Sequence, residues 1–500
     1  MAVLKKLRTE APSSICVLVA LLGGTAELAM AGDWQITPRL SLEETYTDNV
    51  RLVEEGERGD FLTTITPGIA VRGSGARITA DIDYNLERLE YLHESSYDDT
   101  NHQLQANVDL ELLEDWLYFD TVSRIFQQSV SRQQMSRNTR GPGTNQNDVV
   151  SYQFAPSIRH AFGSWLDFEA EYSYQNFDRS ARKGDSNGLQ DSGGDENTYT
   201  VEVVTGSRFA RTPARFFFES RDLDRDSRRK SKFKRYGGEL SYVVNRFFMF
   251  TATGGNENND FQSSSGQQDG AYWTIGGTWS PSARTTFAGN WGDRFYGKTF
   301  NINGSHKRRR LTLSGSYSED LRSANQFDRD VSLIPLLDDQ GQPVYDPIYN
   351  NQIYSVVDGP SRPDDIYVLK QTQASAGYEL RRRSATVRVF QFNRESQQGT
   401  QQDERTFVLS SSLRWRLTRK ITGDLGGTWR QNERSNAGQS ADYYSVYPSI
   451  DYRLGEHATA RLRYEYSHND DPGGVGGGFG GGFAGKYTEH ALSASLIFTL

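Results

Sequence analysis

Alternation is the feature that most constrains this chain. From Ile78 to Leu500 it repeats a run of about ten residues in which apolar and polar side chains take turns. Each run is closed at one end by a tight turn and at the other by a longer polar loop. The last run places Leu492, Ala494, Leu496, Phe498 and Leu500 on one face, and Ser493, Ser495, Ile497 and Thr499 on the other. A period of two is that of a β-strand, whose successive side chains point to opposite faces. Such strands, repeated to the end of the chain, predict a closed antiparallel barrel that crosses a membrane.

Composition agrees. Only 36% of the residues are hydrophobic and mean hydropathy is −0.69, yet aromatics reach 12%. Disordered chains are equally polar but poor in aromatics. In a transmembrane barrel only the outward half of each strand must be apolar, and aromatic girdles mark both interfaces. Beyond residue 31 no apolar run is long enough for a spanning helix. The first 31 residues read as a signal peptide: Lys5, Lys6 and Arg8, then an apolar stretch from Ile15 to Leu22, then Ala29-Met30-Ala31 as a cleavage site before Gly32. The single cysteine, Cys16, lies inside that segment, so thiol and disulfide chemistry drop out of the mature chain. A net charge of −8 does not suggest a nucleic-acid partner.

Short turns fall near Gly73-Ser74-Gly75, Leu113-Glu114-Asp115, Phe162-Gly163-Ser164, Ala210 to Pro213, Asn245-Arg246, Pro281-Ser282-Ala283, Lys307 to Arg310, Arg381 to Ser384, Thr418-Arg419-Lys420 and Gly455-Glu456. Longer connections fall near 47–60, 92–100, 132–148, 179–197, 226–232, 257–270, 295–299, 319–368, 396–405, 432–441 and 469–486. This spacing predicts an all-β fold of about 22 strands, within a range of roughly 18–24, because boundaries are the weakest part of such a reading. It forms one barrel over 32–500, with short periplasmic turns and long external loops. A soluble β-solenoid or sandwich also alternates, but its turns would not sort by length.

The strand faces separate charge from apolar bulk. Phe407, Leu409, Leu413, Trp415 and Leu417 oppose Thr406, Ser410, Ser412, Arg414 and Arg416. A lipid-facing Arg or Lys costs about 2–4 kcal/mol at mid-bilayer, so the charged face must be the wet interior. Candidate lumen residues are Asp81, Asp83, Glu87, Asp109, Glu111, Asp167, Glu169 and Glu171 on early strands, and Arg388, Arg414, Arg416, Arg430, Arg461 and Arg463 on late ones. This partition could set an acidic side against a basic side and orient a dipolar solute, or simply neutralise itself around a hydrated lumen. Pro38, Pro67, Pro156 and Pro448 share the apolar face, near the turn-side strand ends, and read as devices that bend the rim.

Loop 319–368 is the most apolar of the connections. Leu336, Tyr345, Tyr349 and Tyr354 mark it as a constriction folded over or into the mouth, with a small external hairpin centred on Gln340-Gly341-Gln342 as the alternative. Loop 469–486, with its glycine run, reads as a flexible external loop. Asp222, Asp224 and Asp226 open like a calcium loop, but Ser227 and Phe233 stand where that loop needs Gly and Glu. Histidines 93, 102, 160, 306, 457, 468 and 490 make no metal-binding spacing, so no metal or cofactor is expected. No nucleotide or hydrolase motif is present, and the chain reads as a non-enzyme; a Ser-His pair assembled across strands is the only enzymatic alternative.

The mature start, Trp34 to Pro38 followed by Tyr46-Thr47-Asp48-Asn49-Val50, resembles the opening of a Gram-negative outer-membrane barrel family associated with PEP-CTERM/exosortase systems. The resemblance implies an outer-membrane location and a link to exopolysaccharide production and protein sorting. It carries over no catalytic residue. The chain departs from outer-membrane barrels in general by ending on Leu500 rather than an aromatic, with Phe498 nearest. The expected function is a passive porin-like conduit for secreted polysaccharide; the alternative is a docking barrel that binds surface polymer or envelope proteins. Expected partners are outer-membrane lipid and lipopolysaccharide, the barrel assembly machinery, polysaccharide and periplasmic export proteins, with no nucleic acid.

Overall fold

The computed structural model describes residues 32–129, 146–181, 192–225, 228–261, 268–323, 334–335, 354–355, 366–397, 403–434, 440–470 and 486–499. Residues 1–31, read above as a signal peptide, lie outside them. The strands are β1 (Gly32–Thr47), β2 (Asp60–Gly75), β3 (Ile78–Tyr91), β4 (Asp99–Leu113), β5 (Leu117–Ser129), β6 (Gln146–Phe162), β7 (Leu166–Ala181), β8 (Ser192–Thr205), β9 (Ala214–Arg225), β10 (Arg228–Asn245), β11 (Phe248–Asp260), β12 (Gly270–Ser282), β13 (Thr285–Arg294), β14 (Gly297–Arg308), β15 (Leu311–Ser323), the two-residue β16 (Ile334–Pro335) and β17 (Tyr354–Ser355), β18 (Ile366–Leu380), β19 (Arg383–Ser396), β20 (Glu404–Arg416), β21 (Ile421–Arg434), β22 (Ser440–Arg453), β23 (Ala458–Asp470) and β24 (Lys486–Thr499).

Apart from the β16–β17 pair, these strands form one 22-stranded sheet in which each pairs antiparallel with its neighbour. The sheet closes where β1 meets β24, from Arg39↔Thr499 to Thr47↔Ala491. Closure leaves no edge, the condition for a sheet to sit in hydrocarbon, where an unpaired backbone group has no water to turn to. One face carries exposed large apolar side chains, among them Ile36, Leu42, Ile65, Phe216, Phe250, Ile275 and Leu462. The opposite, inner face carries the cross-strand ion pairs described below. The outer surface is therefore the lipid-facing one.

Two connections on the loop side are as short as any turn. Phe295 and Tyr296 alone separate β13 from β14, and 226–227 alone separate β9 from β10, where longer loops were expected. Over the short β13–β14 hairpin, Phe233 and Phe261 gather with Leu321, Ile366 and Val368, with Phe295 and Tyr296 packed against them. The long connection is also shorter than expected, because β15 and β18 stay paired up to Ser323↔Ile366.

The prolines are not rim devices. Each sits well inside its strand and opens the ladder on one side. Pairing skips Pro67 between Ile65↔Arg88 and Gly68↔Asn85, Pro156 between Phe154↔Tyr174 and Ser157↔Glu171, and Pro448 between Val446↔Tyr466 and Ser449↔Arg463. Pro38 pairs with Ile69 inside β1, next to Arg39, where the described closing ladder starts. A residue with no N–H cannot donate to the neighbour, so the gap is local and the strand continues. Glycines make room elsewhere: a β-carbon at Gly426 would lie 2.1 Å from the Tyr447 ring, which rests against that bare backbone on the inner face.

The Tyr46–Val50 motif fastens the closure. The Tyr46 ring meets Phe61 at 5.1 Å on the outer face. The Thr47 hydroxyl donates to Glu489 at 2.8 Å. Asp48 and His490 exchange bonds, Asp48 N–H to the His490 carbonyl at 3.2 Å and His490 N–H to the Asp48 carboxylate at 2.8 Å. The Asn49 amide donates to the Val53 and Thr488 carbonyls at 2.7 and 2.9 Å, and its oxygen accepts from Val53 N–H at 3.1 Å. Asn49 is fully buried, and Val50 packs with Leu62, Leu89 and Tyr91 beside it. Replacing Asn49 by Ala strands two carbonyls and one N–H, which should cost about 1–3 kcal/mol. Equilibrium unfolding in urea from lipid vesicles should show this as a lower midpoint, whereas Ala at the exposed Glu44 should leave the midpoint unchanged.

Candidate functional site: the inner wall

Strand pairing puts every proposed lumen residue on the inner face. Asp81 and Asp83 lie across from Arg72 and Ala70 on β2. Asp109 lies across from Asp120, and Glu111 from Tyr118. Glu169 and Glu171 lie across from Arg159 and Ser157, with Asp167 one step nearer the turn. Arg388 lies between Ser375 and Ser410. Arg414 and Arg416 pair with Asp424 and Thr422, and Arg430 with Val408. Arg461 and Arg463 pair with Asp451 and Ser449.

What the structure changes is the meaning of these charges. Asp81, Asp83, Glu169, Glu171, Arg414, Arg461 and Arg463 are ion-paired with neighbours on the wall. Arg39 reaches Asp83 at 2.7 Å with both side chains nearly buried, and Asn85 donates to the same carboxylate at 3.0 Å. Arg72 binds Asp81 at 3.2 Å. Arg159 holds Asp120 and Glu169 at 2.8 Å each and Glu171 at 3.6 Å. Arg215 binds Glu202 at 2.7 Å and Arg235 binds Glu219 at 3.0 Å. On the late strands Arg414 binds Asp424 at 2.6 Å, Arg461 grips both oxygens of Asp451 at 2.6 and 3.0 Å, and Arg463 binds Glu465 at 3.0 Å. Glu111 instead accepts Asp115 N–H at 2.7 Å and closes its own turn. Carboxylates still outnumber arginines on the inner faces of β3–β8, and the reverse holds on β19–β23, so a net asymmetry survives the local pairing.

The densest node was not expected. Arg294 binds Glu257 at 2.5 Å and Asp320 at 3.0 Å, tying β13 to β11 and β15. The Glu257 side chain is 2% exposed. The Tyr296 hydroxyl accepts from Arg294 at 2.9 Å; burial pushes that phenol up to about 12, so it remains neutral there. The signal for Arg39, Arg72, Arg159 and Arg294 was present in the alternation, since each occupies the polar parity of its strand. Their partners were not, because a carboxylate two strands away is reached only through register.

Nor is the wall uniformly polar. Near the loop ends of β18–β20, Tyr367, Leu369, Phe390, Phe392 and Val408 form a buried cluster on the inner face. Arginines stack against it and along the next strands: Arg394 lies over Tyr367 at 5.5 Å and over Phe392 at 5.6 Å, Arg430 over Tyr443 at 5.6 Å, and Arg463 over Tyr447 at 4.8 Å. Stacking of this kind orients a guanidinium while leaving its edge N–H groups able to bind in plane. Of the proposed constriction, Leu336, Tyr345 and Tyr349 lie outside the described residues. Tyr354 belongs to β17, whose backbone pairs antiparallel with β16 as Pro335↔Tyr354. The glycine run of the last loop also lies outside them. Asp222 and Asp224 are on the outer face, paired with Lys232 and Lys230.

No family model and no curated protein matches the chain. Solved structures do. The ferric enterobactin receptor of Pseudomonas aeruginosa, in complex with BCV-L6, superposes with a TM-score of 0.53 at 11% identity, over 94% of this chain and 82% of that one. The FrpB iron transporter of Neisseria meningitidis gives 0.51 at 10% identity, over 95% and 84%. At such identity the likeness is one of fold: this chain is an outer-membrane β-barrel.

The wall makes a graded expectation. Arg294→Met leaves Glu257 and Asp320 charged without their cation, which costs about 3–5 kcal/mol for a buried pair. Arg414→Met removes a half-exposed partner, which costs about 1 kcal/mol or less. Urea midpoints measured side by side should rank Arg294→Met far below Arg414→Met.

Proposed function

We propose that this barrel is a passive conduit across the outer membrane for hydrophilic, polyhydroxylated chains, most specifically a secreted polysaccharide. The observation behind this reading is the closed ring with a hydrogen-bonding inner face. Its arginines, carboxylates and amides offer donors and acceptors, and the partly exposed Tyr447, stacked under Arg463, supplies a flat apolar surface of the kind that sugar rings meet. The Tyr46–Val50 resemblance supports the polysaccharide as cargo. Directionality would come from partners on either side, such as periplasmic export proteins.

A second reading is a docking barrel whose lumen is filled and whose loops bind surface polymer. The burial of Tyr367, Phe390 and Phe392 on the inner face favours it. Conductance of the purified full-length protein in planar bilayers separates the two. A conduit gives steady channels, and Arg414→Glu with Arg461→Glu should shift its reversal potential toward cation selectivity. Absence of conductance would leave the docking barrel, and an unchanged reversal potential would remove the charged wall from the account. Deleting 331–357 should raise the conductance of a constricted channel; an unchanged value would sink the constriction.

A further inference from the structure

One stretch of the outer surface is built for something other than hydrocarbon. Strand β10 begins Arg228-Arg229-Lys230-Ser231-Lys232-Phe233-Lys234-Arg235. Alternation turns Phe233 and Arg235 inward and sends Lys230, Lys232 and Lys234 outward on one face. All three lysines are exposed. Register places Lys232 between Asp222 of β9 and Asp260 of β11, and Lys234 between Ser220 and Asn258. Lys230 is held by Asp224 at 2.6 Å and Lys232 faces Asp222 at 3.8 Å. Lys234 has no ion-pair partner among the described residues.

Directly toward the membrane the surface becomes apolar. Tyr236 is next on the same face, beside Phe218, followed by Phe216, Leu240 and Phe250, all strongly exposed. A strand rises about 3.4 Å per residue, so Lys234 stands only about 7 Å above the Tyr236 ring level. That is the level at which an outer-face cation ceases to be costly and meets lipid headgroups. The corresponding surface of β1–β3 carries Glu44, Thr63, Arg88 and Glu90, with no run of lysines, whereas on β9–β11 three lysines follow one another on β10 between Asp222 and Asp224 of β9 and Asp260 of β11.

The geometry points to a docking site on the outer face of β9–β11 for a phosphorylated glycolipid of the outer leaflet. Its headgroup phosphates would lie on Lys230, Lys232 and Lys234, and its acyl chains along Tyr236, Phe218 and Phe216. Asp222 and Asp224 hold the two upper ammonium groups in place, and Lys234 supplies the uncompensated charge. This site is independent of what the lumen conducts.

The test uses the full-length protein in detergent, with native mass spectrometry as readout and bisphosphorylated lipid A, dephosphorylated lipid A and inorganic phosphate as probes. Bisphosphorylated lipid A should stay bound through detergent exchange. Its affinity should fall about tenfold or more in Lys230→Gln/Lys232→Gln/Lys234→Gln and for the dephosphorylated probe. Inorganic phosphate should not displace it. Equal binding by the triple variant or by dephosphorylated lipid A overturns the proposal, and so does competition by inorganic phosphate, which would mark a free-anion site. Heat-modifiability on gels reports folding of the variants. If the triple variant does not fold, Lys234→Gln alone decides, with a loss of about threefold expected and no loss overturning the proposal.

Discussion

Everything in this molecule depends on the ladder between its first and last strands. A sheet in hydrocarbon cannot leave an edge open, because each unpaired amide or carbonyl there lacks any partner. The bonds from Arg39↔Thr499 to Thr47↔Ala491 close that edge. The closure is then continued beyond the strands by Thr47, Asp48 and Asn49, whose side chains bind Glu489, His490 and Thr488. The short Tyr46–Val50 motif thus stands where the ring is joined.

Closure in turn creates two solvents for one sheet. The outside must satisfy lipid, and it does so with large exposed aliphatic and aromatic side chains that a soluble protein would bury. The inside must satisfy many charged groups brought close together. It does so by short-range pairing: Arg159 serves carboxylates on the two strands beside it, and Arg294 reaches across one strand on each side to Glu257 and Asp320. An ion pair spanning strands resists sliding of one past another, so the same contacts that neutralise the wall also hold its register. The apolar shelf around Phe390 and Phe392 with its stacked arginines breaks the polar monotony, and so do Phe217 and Phe233 under Arg215, Arg235 and Arg221 on β9 and β10.

Much of this was legible beforehand. The turns, the strand number and the parity of every proposed inner residue follow from alternation, because a period of two leaves one choice of face per strand. The reading went astray where the quantity was not periodic. The stretches 226–232 and 295–299 look like loops because they are polar or follow a charged run, yet strand β10 already starts at Arg228 and β14 at Gly297. The prolines look terminal because proline weakens a ladder, yet a barrel strand has two ladders and loses only one bond. The acid–base partition remains as a net asymmetry of the wall, and what counting along the chain could not give is which of its charges meet across strands.

The division of labour is therefore physical. Alternation, aromatic content and turn spacing are local properties, and by themselves they determine an antiparallel barrel, its approximate strand number and which side chains face in. Partnership is not local. That Arg39 meets Asp83, that Arg294 bridges Glu257 and Asp320, and that Asp48 meets His490 at the join of the ring were decided only by register and closure, which bring together residues tens to hundreds of positions apart in the chain. The lysine face of β10 belongs to both: its parity can be read from the sequence, but its place just above the Tyr236 and Phe218 rings emerges only once the sheet is closed and its outer surface meets lipid.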